Sequence, residues 1–368
     1  MAWIGEAGAA KINVAANVGA EIRNVSRNGR SVYFEYRAYL YQSTSAWSTN
    51  VWAVWTEGNR YVVKDRSQSS QNTKYYGGWV GKTVDIDPGA TTCTISVGTQ
   101  GNNWDPWDPG YVNLTVHDLP TCSKPSLSGL TTSNVSDKSA DVSFSINSSN
   151  NGTVTDSYID LSLSNFGSVV KSISSRSGTF TGLDPNRTYY ARGNAANAAG
   201  RSYTGVKAFT TGFVDPGSPG KPSLSCDQEE YIPKAKLTAK WSAANAGSTA
   251  VAGYRIRLYK NDVEVSMVDT ESTSTKYTFN SFENLGFKVG DVAKVGIYAY
   301  SKDWNGGKHF NGGGSGTSQV YSGTVTVVSD KYIFVSSAGG AFDKKKMYIS
   351  VNGAAFVEVK KEKFKIIK

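Results

Sequence analysis

Histidine is nearly absent: the 368 residues contain two, His117 and His309, far apart in the chain. A histidine-based zinc site or an imidazole acid–base pair therefore has little to be built from. Cysteine is almost as scarce, with Cys93, Cys122 and Cys226 widely separated. Such thiols make neither a paired disulfide framework nor a CxxC metal motif, and are expected to be inert. No apolar run approaches the roughly 18 residues that span a bilayer, so no membrane partner is expected. Met1 to Ala20 has neither a basic start nor a continuous apolar stretch, so no standard export signal is expected either. Asp85 and Asp87 with Asp105 and Asp108 come nearest to a calcium site, but no acidic loop closes on a glutamate as that chemistry requires. Asn311 to Gly316 is glycine-rich yet lacks a following Lys-Ser/Thr, so it is expected to be a flexible loop rather than a phosphate cradle. The sequence carries no enzyme signature, and no cofactor is expected.

What is present favours strands. Aromatics reach 12%, glycine numbers 38, and Ser, Thr and Asn fill the spaces between them. This texture suits strands and turns rather than long helices, and predicts an all-β chain. The formal charge of +9 is uneven: Lys331 to Lys368 holds nine lysines against three acids, a net +6, leaving +3 on everything before it. With no positive field over the preceding residues, nucleic acid is not an expected partner.

Arg30 to Tyr41 alternates Val32, Phe34, Tyr36, Ala38 and Leu40 with Ser31, Tyr33, Glu35, Arg37 and Tyr39, which predicts a strand whose first set is buried, entered through an Asn28-Gly29 turn. Further strands are predicted at Val51 to Thr56, Tyr61 to Val63, Trp79 to Ile86, Thr91 to Val97 and Tyr111 to Val116. Turns at these intervals indicate a β-sandwich. Trp47, Trp52, Trp55 and Trp79 are expected in core or inter-domain packing. Trp104, Asp105, Trp107 and Asp108 form a loop in which indoles can stack on sugar rings while carboxylates take hydroxyls, a candidate glycan contact. The same residues can equally close the end of a sandwich and cap its turns.

Two proline-rich linkers follow, Pro120 to Pro125 and Asp215 to Pro222. Each runs into the same pentapeptide, Lys124-Pro125-Ser126-Leu127-Ser128 and Lys221-Pro222-Ser223-Leu224-Ser225. A repeat at the head of two similar segments indicates two copies of one module. The boundaries are 1–119, 120–213, 214–329 and 330–368.

In the first copy, Leu183, Pro185 and Tyr189 precede a strand of period two ending in Asn197 and Gly200. This resembles the fibronectin type III signature, in which the tyrosine fills a corner of the sandwich and its hydroxyl bonds local backbone. Phe144 stands where that family carries a core tryptophan on its second strand, and Tyr158 to Leu163 is the third strand. The second copy keeps the tryptophan as Trp241 and has its third strand at Gly253 to Tyr259. It lacks the corner tyrosine, with Val292 near that position, closes its sixth strand with Asp303 to Gly307, and ends with a strand over Tyr321 to Val328. The resemblance implies serial immunoglobulin/fibronectin type III-like sandwiches, a short C-terminal hairpin completing the all-β chain.

Lys344, Lys345 and Lys346, a Tyr348-Ile349-Ser350-Val351 strand, Asn352-Gly353, Phe356, and Val357 to Lys360 and Lys361 read as a basic hairpin. The pattern is similar to a short repeat at the ends of tail-fibre and other structural proteins of bacteriophages infecting Gram-positive hosts. That resemblance implies a non-enzymatic virion component of the tail or its fibres, assembled in the host cytoplasm. Its implied partners are other virion proteins, further copies of itself, and host cell-wall polysaccharide, with the lysines as a docking segment. The alternatives are a capsid decoration or head fibre, and a glycan-binding module of a bacterial surface protein.

Overall fold

The computed structural model describes residues 3–13, 16–42, 52–57, 59–64, 72–100, 110–227, 236–280, 282–288, 290–327, 347–349 and 357–359. They are all-β, the helical pieces among them being three short 3-10 turns. The chain forms two compact units, Met1–Gly212 and Phe213–Lys368.

The first unit opens with a sandwich of nine strands: β1 (Trp3–Asn13), β2 (Ala16–Asn28), β3 (Ser31–Gln42), β4 (Trp52–Thr56), β5 (Asn59–Lys64), β6 (Thr73–Tyr76), β7 (Val80–Asp85), β8 (Cys93–Gln100) and β9 (Gly110–Val116). One sheet runs β1-β2-β3, with β6 and β7 both on the far side of β3; the other runs β5-β4-β8-β9. The predicted inner face is the observed one: Val32, Phe34, Tyr36, Ala38 and Leu40 are buried with Val18, Ile22, Ile95, Val97 and Leu114. Each large apolar side chain so buried contributes about 1.5–3 kcal/mol. Tyr39, on the outer face, is also buried. It lies over Gly19, its cross-strand partner, whose missing Cβ would stand 2.4 Å from the tyrosine oxygen.

The second sandwich comprises β10 (Ser126–Ser133), β11 (Ser139–Ser148), β12 (Asp156–Ser162), β13 (Lys171–Ile173), β14 (Ser177–Thr181), β15 (Thr188–Asn197), β16 (Gly200–Tyr203) and β17 (Lys207–Thr210). Sheet β10-β11-β14 faces sheet β13-β12-β15-β16, with β17 completing the last strand along β15. This is the strand order of a fibronectin type III sandwich. Tyr189 is buried and its Oη accepts the Asp184 N–H at 2.9 Å, while Leu183 donates its N–H to Lys138 O at 3.0 Å. Phe144 fits opposite Gly193, where a Cβ would meet its ring at 2.7 Å. Tyr189→Phe removes the acceptor of the Asp184 N–H and leaves the ring's corner without its backbone tie, and is expected to cost about 1 kcal/mol in urea unfolding. Ala140→Ser, on the same core, does not touch that corner and serves as the comparison for general core disturbance.

The third sandwich, in the second unit, comprises β18 (Ser223–Asp227), β19 (Lys236–Lys240), β20 (Val251–Lys260), β21 (Val263–Asp269), β22 (Lys276–Asn280), β23 (Val292–Lys302), β24 (Lys308–Phe310), β25 (Val320–Tyr321) and β26 (Val325–Thr326). Sheet β18-β19-β22 faces β21-β20-β23, on which β24, β25 and β26 together make the last strand. The shared pentapeptide therefore enters the first strand of both modules. Trp241 follows β19, buried edge-on against Tyr254 with ring centroids 5.1 Å apart. Asp291 holds the corner that lacks a tyrosine: its carboxylate accepts from Asn261 Nδ2 and the Lys288 N–H, both at 2.7 Å.

Two expectations change here. The single strand predicted over Tyr321 to Val328 is instead a last strand that begins at Lys308 and is interrupted between Phe310 and Val320. The interruption is the glycine-rich stretch, and it is shaped. Gly312, Gly313 and Gly314 all have positive φ (57°, 69° and 72°), which suits glycine. Buried Asn311 takes the ladder's place, accepting the Ala299 N–H at 2.8 Å and donating to Ser318 O at 2.8 Å. The second linker is also docked rather than free. Val214 and Ser248 exchange hydrogen bonds, Gly217 and Gly220 donate to Asn245 O and Ser242 O, and Phe213 stacks on His309 at 3.8 Å.

An ion-pair network crosses the outer face of this sandwich. Asp269 accepts from Arg255 at 2.7 and 3.0 Å and from Lys308 at 2.8 Å. The Arg255 hydrogen bond, ahead of the Lys308 contact, holds its pKa at about 2. Glu271, bonded to Lys302 and Lys308, sits at about 2 as well. Both folded values lie below those of the unfolded chain, so this stabilisation is complete above the ordinary carboxylate range and is lost as pH falls toward 2. Thermal midpoints of the second unit should hold down to about pH 4.5 and fall below it, and Asp269→Asn should flatten that acid limb.

At the C-terminal end, β27 (Met347–Ile349) and β28 (Val357–Val359) pair antiparallel, Tyr348 opposite Glu358.

Candidate functional site

The feature that most shapes the first unit begins with one extra residue. In β2, Arg23 pairs with Glu35 and Ser26 with Tyr33, so three steps on one strand match two on the other. Asn24, at φ 54°, occupies this bulge. A bulge reverses which residues face inward. Ile22 points to the core before it, and Arg27, paired with Val32, is buried after it.

Arg27 has no carboxylate partner among the described residues; its guanidinium is spent on backbone carbonyls. Nε donates to Gly29 O at 2.8 Å, Nη1 to Ala90 O and Pro120 O at 2.8 Å each, and Nη2 to Asp87 O. One side chain thus gathers the β2–β3 turn, the loop before β8 and the first linker. The second sandwich is tied to the same place. Gly29 donates to Asn151 O at 2.7 Å, and Asn28 Oδ1 accepts from the Thr153 N–H and hydroxyl at 2.7 and 2.8 Å. Cys122 donates its N–H to Pro88 O at 2.8 Å, and Asn197 Nδ2 donates to Ser123 O at 2.7 Å and Ser149 O at 2.8 Å. Gly29 has φ +66°, and a Cβ there would approach Ala198 Cβ to 2.9 Å. The first linker is thereby fixed on both sides.

Beside this junction opens a cleft of about 740 Å³ lined by Asn28, Arg30, Thr83, Asp85, Thr153 and Thr155 among others. Its cation is already paired: Arg30 lies 3.1 Å from Asp85 and 3.0 Å from Asp87. Two of the four aspartates considered for calcium, Asp85 and Asp87, therefore face an arginine.

Trp79, expected in packing, is half-buried on the outer face of the first sandwich. Arg23 lies 3.9 Å and Arg37 4.7 Å from its ring, and Arg37 also stands 3.8 Å from the ring of Tyr76. The alternation that exposed Arg23 and Arg37 on one side of the sheet gives the indole two cations to cover, and cation–π contact holds it there rather than in the core. Glu21 bonds Arg37 and Tyr76, while Glu35 bonds Arg23 and Asn24. The Arg23 hydrogen bond draws the Glu35 carboxyl below its usual range.

The candidate glycan residues Trp104, Asp105, Trp107 and Asp108 lie outside the described residues, as do Trp47 and the lysines Lys344, Lys345, Lys346, Lys360 and Lys361. Leu183, Pro185, Tyr189 and Trp241 are buried in their sandwiches and shape the fold rather than a surface. The sequence does not mark Arg27, because alternation counted from Ile22 places it outside until the bulge is known.

No family model matches the sequence, and no curated protein does. Among solved structures, the chain is similar to the FN1-FN3 domains of chicken CNTN1, with 12% identity and a TM-score of 0.25 over 85% of this chain and 98% of that one. It is also similar to a two fibronectin type-III domain segment of chicken tenascin, with 14% identity and a TM-score of 0.31 over 56% of this chain and all of the other. Scores this low leave the strand order of each sandwich as the ground for the fold.

Proposed function

We propose that the chain is a structural, adhesion-type component of a bacteriophage virion, placed in the tail or its fibres. The observation that carries the architectural part is the Arg27 junction, which spends a buried cation and a set of asparagines on fixing one sandwich to the next. Such construction suits a protein whose task is to hold surfaces in position. The basic hairpin pattern around Asn352-Gly353 supports the particle assignment, and many copies on one particle turn weak host contacts into avidity. Other virion proteins and host cell-wall polysaccharide are the partners in this reading, and no catalytic step is assigned. Electron microscopy and adsorption assays on particles lacking the protein test it. Altered tails or reduced adsorption is the expected result, and normal tails with unchanged adsorption would overturn it. Removing Lys331 to Lys368 should lower incorporation into particles if that segment docks the protein.

A further inference from the structure

Arg192 stands apart from the other arginines of the described sheets. Arg187, Arg201 and Arg255 each pair with a carboxylate, Asp184, Asp156 and Asp269 respectively. Arg192 has no ion pair and no hydrogen-bond acceptor among the described residues, and its Nε is buried without a partner. Its cross-strand neighbour on β12 is Asp160, yet that carboxylate accepts instead from Ser172 Oγ at 2.8 Å and Asn194 Nδ2 at 2.7 Å.

What holds Arg192 is aromatic. Its Cζ lies 4.1 Å from the ring centroid of Phe166 and 4.2 Å from that of Tyr203. Phe166 reaches this position in the left-handed region, at φ 59°. That conformation is unfavourable for a bulky residue and persists only where its surroundings impose it. The loop does so: Phe166 donates its N–H to Ser164 O, and Ser162 Oγ accepts the Ser164 N–H at 3.2 Å. Tyr203 is 52% exposed, so the aromatic cage opens to solvent.

A guanidinium covered by rings keeps its in-plane N–H edge, whose spacing matches two oxygens of one oxyanion. We propose that Arg192, caged by Phe166 and Tyr203, is a binding site for an oxyanion, a carboxylate or phosphate group carried by a ligand. The site stands whether or not the chain belongs to a virion.

Side-chain nitrogen NMR of the whole protein tests this, with the Arg192 Nε signal assigned by its loss in Arg192→Lys. Acetate and inorganic phosphate are titrated separately at constant ionic strength held with chloride. Arg192 should shift saturably, with an apparent affinity roughly tenfold tighter than that of exposed Arg176 on the same sandwich. The anion that saturates at lower concentration identifies the oxyanion. Phe166→Gly, which suits the backbone at that position, should weaken binding about fivefold while leaving the melting temperature no lower. Shifts at Arg192 no larger than those at Arg176 with both anions, or undiminished binding in Phe166→Gly, would overturn the proposal.

Discussion

Arg27→Met should lower the melting temperature of the first unit by about 6–12 °C, a loss on the order of 3 kcal/mol in a unit of this size. Methionine keeps much of the stem's packing but removes every donor. The carbonyls of Gly29, Ala90, Pro120 and Asp87 then lose their shared partner in a place where water replaces it poorly. The first linker should become a cleavage site, since Pro120 O is one of those carbonyls and the backbone beyond it is held by the same junction. Arg30→Ala is the contrast: its ion pairs are solvent-exposed, with side chains more than half accessible, and it should change the melting temperature little. Calorimetry with limited proteolysis reads both, and equal melting of Arg27→Met and the parent would refute the role given to Arg27.

Gly247→Val should release the second linker from the third sandwich. A Cβ at this position would stand 2.1 Å from Val214 O and 2.4 Å from Asp215 O. Both are backbone atoms, so no rotamer change relieves the clash and the docked segment must move. That movement breaks the Val214 N–H to Ser248 Oγ bond of 2.7 Å and the Gly217 N–H to Asn245 O bond of 2.9 Å. The expected cost is about 1–3 kcal/mol. Amide exchange should rise at Val214, Gly217 and Gly220 while β20 and β23 stay protected. Gly316→Ala, where an added Cβ meets nothing within 4 Å, should leave those amides unchanged.

How far the sequence revealed this fold depended on whether alternation was intact. Val32 to Leu40 and Ile256 to Leu258 show their buried face directly, because large apolar residues recur with period two. The long β1–β2 pair has no such signal. Its strands are rich in Gly, Ala and Asn, which carry little strand propensity, and the Asn24 bulge reverses their parity midway. The last strand of the third sandwich was misplaced for a related reason: Asn311 and Ser322 side chains substitute for backbone partners, which no periodicity reports. The linkers were recognised by their prolines, but proline content says only that the chain does not ladder there, and both segments dock through carbonyls and asparagines. Composition likewise marked Trp79 as a packing residue without indicating that two arginines would hold it outside. Tyr189 was legible because its spacing from Leu183 and Pro185 encodes a local corner, whereas Arg27 and Arg192 depend on strand pairing and loop conformation.

The proposal that this protein is part of a virus particle is tested most directly by immunogold labelling of purified particles. Antibodies raised against the second sandwich should place gold on the tail or its fibres at regular positions. Gold confined to the head would favour the decoration reading, and particles that carry no gold while the protein remains soluble in the lysate would contradict the account.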